Sequence, residues 1–365
     1  MDPLLIMLNH NDEANFIAAF KNYRGVVSEN DVFRASGHSK AQGLLSERRE
    51  RILEFKKALD TSDVAKAKQL LEQDSELMSY SCMLHDQPMK IWRFALLTSN
   101  EIVKELFIDK ARVNDVDEDM GQTPLHCAIS EELDLTVIEY LLSQGACVDA
   151  TDDKGWTAAH VAADSGNLEV LKLLRKNGAD FSIKDNQGYT PFLRSVASES
   201  ASDDIEENVL EYLLNEGSDI NAVDKNGASA MHLAIRRGTI RVLECLVKKG
   251  ADKDLADNQG CTPLMDALRS RKEEYAKYLL NQGADITIKN YRGWTALHHA
   301  VFHREVEVIR LILEKFPNMK NEVFVCKIAD GDPVAGSLLD FYKSIFTQSQ
   351  SKEMLALLQS EGAAT

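Results

Sequence analysis

A short string of residues recurs six times along this chain, and it restricts the fold more than any other feature. Each copy begins with glycine and carries Thr or Ser two places later. The glycines are spaced by 34, 33, 39, 33 and 33 residues. A period of this kind predicts small stacked units rather than one globular core. The copies are Gly121-Gln-Thr-Pro-Leu-His, Gly155-Trp-Thr-Ala-Ala-His, Gly188-Tyr-Thr-Pro-Phe-Leu, Gly227-Ala-Ser-Ala-Met-His, Gly260-Cys-Thr-Pro-Leu-Met and Gly293-Trp-Thr-Ala-Leu-His.

The residues around this string predict two helices in each unit. Thr157 stands where a helix N-cap belongs, and Pro at the first helical position costs no hydrogen bond. Paired aliphatics such as those of 170–174 predict a second helix with one buried face. A second string then ends that helix with a glycine, which adopts positive φ cheaply. Its copies are Gly145-Ala-Cys-Val-Asp, Gly178-Ala-Asp-Phe-Ser, Gly217-Ser-Asp-Ile-Asn, Gly250-Ala-Asp-Lys-Asp and Gly283-Ala-Asp-Ile-Thr.

Together the two strings resemble the ankyrin repeat, which has a period of about 33 residues and a Thr-Pro-Leu-His core. The resemblance implies an all-α ankyrin-repeat solenoid of helix-turn-helix units joined by hairpin loops. Counting worn copies at both ends, we expect about eight or nine repeats with degenerate caps. The expected domains are an N-terminal helical cap or arm at 1–47, degenerate repeats at 48–120, regular repeats at 121–327 and a degenerate C-terminal capping repeat at 328–365.

The degenerate repeats at both ends match the two strings more weakly. One covers 89–119, with 102–107 as its second helix, and another helix pair is predicted within 52–78. At the other end, Gly336-Ser-Leu-Leu-Asp resembles the first string, and Met354-Leu-Ala-Leu-Leu resembles a second helix. The first 47 residues do not follow the period, and they are either a cap or a partner-binding arm.

Composition restricts the compartment and the classes of partner that we expect for the protein. A net charge of −16 disfavours nucleic acid as a partner, because an acidic surface repels phosphates. The apolar run at 4–8 is too short to span a membrane and lacks the features of a signal peptide. Six scattered cysteines without a CxxC pair indicate a reducing compartment. We therefore expect a cytoplasmic monomer with no cofactor, no nucleic acid and no membrane partner.

Residues that could carry chemistry have structural interpretations. His126, His160, His232 and His298 share the fourth place of the core string, where the ring is expected to tie helix to hairpin through local backbone. A metal site would need further ligands. Cys82 and His85 are the remaining candidate for a nucleophile pair, but the known catalytic motifs are absent. We expect no enzymatic activity; an enzyme, or an enzyme subunit, that uses the N-terminal region is the alternative.

The resemblance implies a protein–protein interaction scaffold or adaptor, which binds its partner through hairpin tips and the exposed face of the first helices. Aromatic residues and arginine most often carry interface energy. Trp156 and Trp294 either pack on their own repeat or contact the partner. Grouping within one repeat favours binding for the tyrosine, arginine, phenylalanine and histidine of 291–303. The candidate partner-binding residues are Trp156, Tyr189, Arg236, Arg237, Arg269, Tyr291, Arg292, Trp294, Phe302 and His303.

Three further hypotheses follow from irregular features. The unit with the 39-residue spacing carries an acidic insertion, predicted as a loop at 198–207 that is solvated, pairs with Arg236 and Arg237, or contacts a basic partner. The non-repeat N-terminal segment and worn repeats are compatible with a bacterial effector that binds host proteins in the host cytoplasm. Asn114 and Asn221 stand where ankyrin-directed asparaginyl hydroxylases act.

Overall fold

The computed structural model describes residues 39–74, 77, 81–84, 87–90, 92–93, 96, 113–117, 119–198, 203–237, 240–321, 324–327 and 333–336. The chain divides into two compact units. The first unit comprises Met1–Ala162 and Glu169–Asp180, and the second comprises Ala163–Leu168 and Phe181–Thr365.

The described part of the first unit starts with a helix pair and a β-hairpin. Its elements are α1 (Ser39–Asp60), α2 (Val64–Gln73), β1 (Ser81–Leu84), β2 (Gln87–Lys90), α3 (Pro124–Ser130) and α4 (Leu135–Ser143). The next two helices, α5 (Ala158–Asp164) and α6 (Leu168–Lys176), carry residues of both units. Helices α1 and α2 match the pair predicted within 52–78. Helix α1 spans the predicted division between 47 and 48, and Leu45 on it is buried.

The second unit holds the most regular repeats. Its helices are α7 (Pro191–Ala197), α8 (Asp203–Asn215), α9 (Ala230–Arg237), α10 (Ile240–Lys248), α11 (Pro263–Arg269), α12 (Glu273–Asn281), α13 (Ala296–His303) and α14 (Val306–Lys315). A 3₁₀ turn (Pro317–Asn321) and the strands β3 (Phe324–Lys327) and β4 (Pro333–Gly336) follow. The first helix of one repeat contacts the first helix of the next, as α7 contacts α9. The second helices make the same kind of contact, as between α12 and α14.

The local chemistry of the repeat accounts for these helices. Thr123, Thr190 and Thr262 are N-caps whose side-chain oxygens accept a first-turn backbone N–H, and proline follows each of them. Second helices bury one apolar face, as Val242, Leu243, Cys245 and Leu246 do on α10. The predicted fold class, an all-α ankyrin-repeat solenoid, is confirmed.

Stacked hairpin loops explain why glycine opens the core string. Lys225 donates its backbone N–H to the carbonyl of Gln187 at 2.9 Å, and Tyr291 donates to Gln259 at 3.0 Å. Gly188 has a φ of 85°, and a Cβ there would lie 2.7 Å from the Lys225 nitrogen. The next hairpin therefore occupies the space that a side chain at Gly188 would need.

The acidic insertion is only partly the predicted loop. Asp203 begins α8, so the loop prediction is wrong from there to 207, while 199–202 lie outside the described residues. The insertion lengthens the second helix to 13 residues, against nine in α10 and α12.

Two antiparallel hairpins were not anticipated. Strand β1 pairs with β2, with Cys82 opposite Met89, and β3 pairs with β4, with Cys326 opposite Val334. The predicted helix at 102–107, the string at 354–358, His85 and residues 1–38 lie outside the described residues. The domain division and the repeat count stay predictions.

Candidate functional site

Each hairpin loop is organised around one buried acidic or amide side chain. In Asp185, Oδ1 accepts the backbone N–H groups of Gln187 at 2.8 Å and Tyr189 at 2.9 Å. Oδ2 accepts from Arg194 at 2.7 Å. These contacts satisfy a carboxylate that would be costly to bury alone. The equivalent position is occupied by Asp117, Asp152, Asp224, Asp257 and Asn290, all buried with the same type of loop contact.

Two of the predicted binding arginines, Arg236 and Arg269, form ion pairs with a buried aspartate. The side chain of Asp266 on α11 is fully buried, and its Oδ2 accepts from Arg236 Nε at 2.7 Å. Arg236 also reaches Asp257 Oδ2 at 3.4 Å, and Arg269 lies 2.8 Å from Asp266 Oδ1. A first role of Arg236 and Arg269 is thus to neutralise buried charge. Pairing of the acidic insertion with Arg236 and Arg237 stays a prediction, because the side chains of 199–207 lie outside the described residues.

His126 and His232 tie their helix to the hairpin of the next repeat, in agreement with the predicted tie of helix to hairpin. His126 Nδ1 lies 2.8 Å from Thr123 Oγ1, and its Nε2 lies 2.9 Å from the Trp156 carbonyl. His232 makes the same pair of contacts, to Ser229 and to the carbonyl of Cys261. Because a carbonyl only accepts, Nε2 carries the proton and Nδ1 is the acceptor.

These rings are held neutral. Burial lowers the pKa of His126 and of His232, although the backbone contacts and nearby aspartates oppose the shift. Burial also lowers the pKa of His298 to about 4, with a smaller effect from the charge of Lys289. A neutral ring can donate and accept at once, which the contacts of His126 and His232 require.

The last regular repeat contains a cluster of aromatic rings. Trp294 is only 5% exposed, and its ring centroid lies 5.1 Å from His299 and 5.2 Å from Phe302. The structure therefore favours packing for Trp294, one of the two roles that were open. Phe302 lies 5.0 Å from His303 in an edge-on contact. The structure thus brings Trp294, Phe302 and His303 together.

The same repeat also exposes large side chains. Tyr291, at the hairpin tip, is 81% exposed, and Phe302, near the end of α13, is 38% exposed. Arg292 beside Tyr291 and Arg271 just after α11 are exposed as well. Arg271 was not among the predicted binding residues, because it follows a helix end and has no counterpart in the core string.

The other predicted binding residues lie in earlier repeats. Trp156 is half-buried, with Lys154 Nζ 5.6 Å from its ring centroid, and its carbonyl takes part in the His126 tie. Tyr189 is half-buried under Arg194, whose guanidinium carbon lies 4.5 Å from the ring centroid. Arg237 is exposed at the end of α9. Binding by any of these residues stays a prediction.

Three further observations concern metal binding, membrane spans and the two candidate asparagines. Among the described residues, no group of three or more His, Cys, Asp or Glu side chains could hold a metal ion. No helix that the structure describes is both long enough and apolar enough to cross a bilayer. Asn114 and Asn221 are exposed, and their Oδ1 atoms accept backbone N–H groups of Cys147 at 2.7 Å and Asp252 at 2.9 Å. Their hydroxylation stays a prediction.

Comparison with known proteins agrees with this architecture. The profile described as ankyrin repeats in three copies matches residues 92–185 and 195–290, and the single ankyrin-repeat profile matches 292–322. Rabankyrin-5 of Mus musculus is 35% identical over 121 residues, which are 33% of this chain and 10% of that protein. Inversin of Canis lupus familiaris is 31% identical over 128 residues, covering 35% and 11% respectively.

A third relative is the nuclear factor NF-kappa-B p105 subunit of Gallus gallus, which is 33% identical over 126 residues. That match covers 33% of this chain and 12% of the relative. The chain thus matches only about a tenth of the length of these proteins, and the likeness is one of repeats. Ankyrin repeats generally mediate protein–protein interactions. With its profiles, relatives and stacked hairpins in agreement, this chain belongs to the ankyrin-repeat family.

Proposed function

We propose that the protein is a scaffold or adaptor that holds a protein partner on one face of the second unit. This face, called here the hairpin face, comprises the hairpin tips and the C-terminal ends of α7, α9, α11 and α13. The observation that carries the proposal is the exposure of Tyr291 and Phe302 in a repeat whose other aromatic, Trp294, is buried. Exposed aromatic side chains flanked by arginine are typical anchors of protein interfaces.

The rest of the repeat supports a rigid binding face. Hydrogen bonds between successive hairpins and the buried Asp–Arg contacts fix the loops before a partner arrives. A surface ordered in advance loses less conformational entropy on binding. The protein acts in this proposal as a cytoplasmic monomer that binds neither nucleic acid nor membrane. Delivery into host cytoplasm as an effector, and an enzymatic role for the N-terminal region, stay alternatives.

A matched pair of variants tests the hairpin face. Partners of the full chain are identified by proximity labelling in its own cells, and their affinities are then measured with purified proteins. We expect Tyr291→Ala with Phe302→Ala to weaken partner binding at least about tenfold, as loss of interface anchors does. Phe316→Ala, at a similarly exposed aromatic beyond α14, should leave binding unchanged. Equal binding by all variants would refute the proposal, provided that their thermal unfolding is also equal.

A further inference from the structure

Three arginines and three aromatic side chains share one end of the hairpin face. Arg269 and Arg271 lie at the end of α11, Arg292 and Tyr291 lie at the next hairpin tip, and Phe302 and His303 lie at the end of α13. We call these six residues the arginine–aromatic patch. Adjacent repeats bring them together, because α11 contacts α13 along the stack.

The positive charges gather around two histidine rings. His299 and His303 are stacked, with ring centroids 6.5 Å apart. Burial first, and then the charges of Arg271 and Arg269, lower the pKa of His303. Burial lowers the pKa of His299 to about 3, and Arg269 and Arg292 are among the charges that contribute. The charges of all three arginines therefore help to lower the pKa of one or both of these rings.

The positive charge of the patch is only partly compensated. Arg269 shares the buried carboxylate of Asp266 with Arg236. Within the described ranges, Arg271 and Arg292 make no ion pair within 4.0 Å. The carboxyl of Glu305 interacts with the charge of Arg271 and compensates it in part. The patch is thus a positive region on a chain whose net charge is −16.

An apolar surface lies beside this charge. Tyr291 exposes most of its side chain, and Phe302 is partly exposed beside His303. Carboxylates suit arginine because the guanidinium can donate two parallel hydrogen bonds to them. An aromatic or aliphatic side chain suits the two exposed rings. Long nucleic acid would also bring its phosphates close to the acidic remainder of the chain, which disfavours it.

We propose that the arginine–aromatic patch binds an acidic peptide segment of the partner. Carboxylates of Asp or Glu accept hydrogen bonds from Arg271 and Arg292, and an apolar side chain of the same segment contacts Tyr291 and Phe302. This inference rests on the proposed function, because it names the partner chemistry at the same face. The local charge of the patch is opposite in sign to the net charge of the chain, which is −16.

Selection from random peptides tests the proposal without a known partner. Phage displaying random peptides of about twelve residues are selected on the immobilised full chain, and the recovered peptides are synthesised and titrated by fluorescence polarisation. We expect peptides enriched in Asp and Glu with at least one aromatic or aliphatic residue. Their affinity should fall several-fold when the salt concentration rises from about 50 mM to about 500 mM, because exposed charges are screened.

Two charge-reversal variants with the same net charge locate the binding. Arg271→Glu with Arg292→Glu should weaken the selected peptides at least about tenfold, as loss and reversal of two charge contacts implies. Arg241→Glu with Arg310→Glu, on the exposed faces of α10 and α14, should change affinity less than about twofold. Both variants keep the buried contacts of Asp266, so both should remain folded.

The possible results separate this proposal from the proposed function. Peptides that lack acidic residues but lose affinity with Tyr291→Ala would overturn the acidic partner and leave the hairpin face intact. Peptides unaffected by Tyr291→Ala and by both charge reversals, or no selected peptide at all, would overturn both proposals. Tighter binding of a single-stranded oligonucleotide than of the best acidic peptide, lost in Arg271→Glu with Arg292→Glu, would assign the patch to nucleic acid instead.

Discussion

At the scale of single residues, Asn290 replaces the aspartate of the other described hairpin loops, and this replacement agrees with the neutral form of His299. The other hairpin loops have aspartate at this position, and in Asp185 the second oxygen accepts from Arg194 nine residues later. Nine residues after Asn290 the chain has His299, and the Asn290 Nδ2 atom lies 3.3 Å from its Nε2. The Oδ1 atom of Asn290 already accepts from Arg292 and Trp294. The amide nitrogen therefore donates to an unprotonated Nε2, which matches a ring kept neutral.

This pairing predicts the effect of Asn290→Asp. A carboxylate facing Nε2 favours the imidazolium form, so we expect the pKa of His299 to rise from about 3 by roughly one to three pH units. The change is measured by following the ring resonances in an NMR titration. Asn281→Asp, which adds the same charge at the exposed end of α12, serves as the control. An unchanged His299 pKa in Asn290→Asp would contradict the contact.

At the scale of elements, the stacked hairpins decide where glycine is required. Gly188 and Gly250 have similar φ values of 85° and 87°. A Cβ at Gly188 meets the backbone of the next hairpin, whereas a Cβ at Gly250 would have no atom within 4 Å. The two glycines thus share the conformational requirement and differ in packing.

Alanine substitution at these two glycines separates strain from clash. Gly250→Ala should cost about 1 kcal/mol, the penalty of positive φ for a residue with Cβ. Gly188→Ala adds overpacking of roughly 1–3 kcal/mol and should break the hydrogen bond from Lys225 to Gln187. Urea unfolding of both variants, with amide hydrogen exchange at Lys225, measures the difference. Equal losses would mean that the hairpins move apart without cost.

At the scale of the whole molecule, buried neutral histidines couple stability to pH. Folding lowers the pKa of His126, His232, His298 and His299 below the unfolded value of about 6.5. Between that value and the lower folded one, the unfolded chain binds more protons than the folded chain. The free energy of unfolding therefore falls as the pH falls through this range, starting near pH 6.5 and ending near pH 4 for His298.

Substitution of His298 tests this coupling. The chain itself places Leu193 and Met265 at the same position of other repeats. We expect His298→Leu to lose stability at pH 7, because the contact with Thr295 is removed, but to lose less additional stability between pH 6.5 and pH 4 than the natural chain does. Urea midpoints at several pH values measure both effects. An identical pH dependence in both proteins would show that His298 is not held neutral by the fold.

Much of this protein follows from its sequence alone, because the repeat is built from local rules. Caps at Thr123 and Thr262, glycine at helix ends and the histidine ties depend on residues close in sequence or at a fixed period. The tertiary structure decided what depends on packing between repeats. It buried Trp294 while leaving Tyr291 exposed, assigned Arg236 to the carboxylate of Asp266, and turned part of the acidic insertion into α8. The contact of Arg236 depends on a neighbouring repeat, and Trp294 packs against rings of its own repeat. The recurring pattern determines neither of these contacts, nor the residue at which α8 begins.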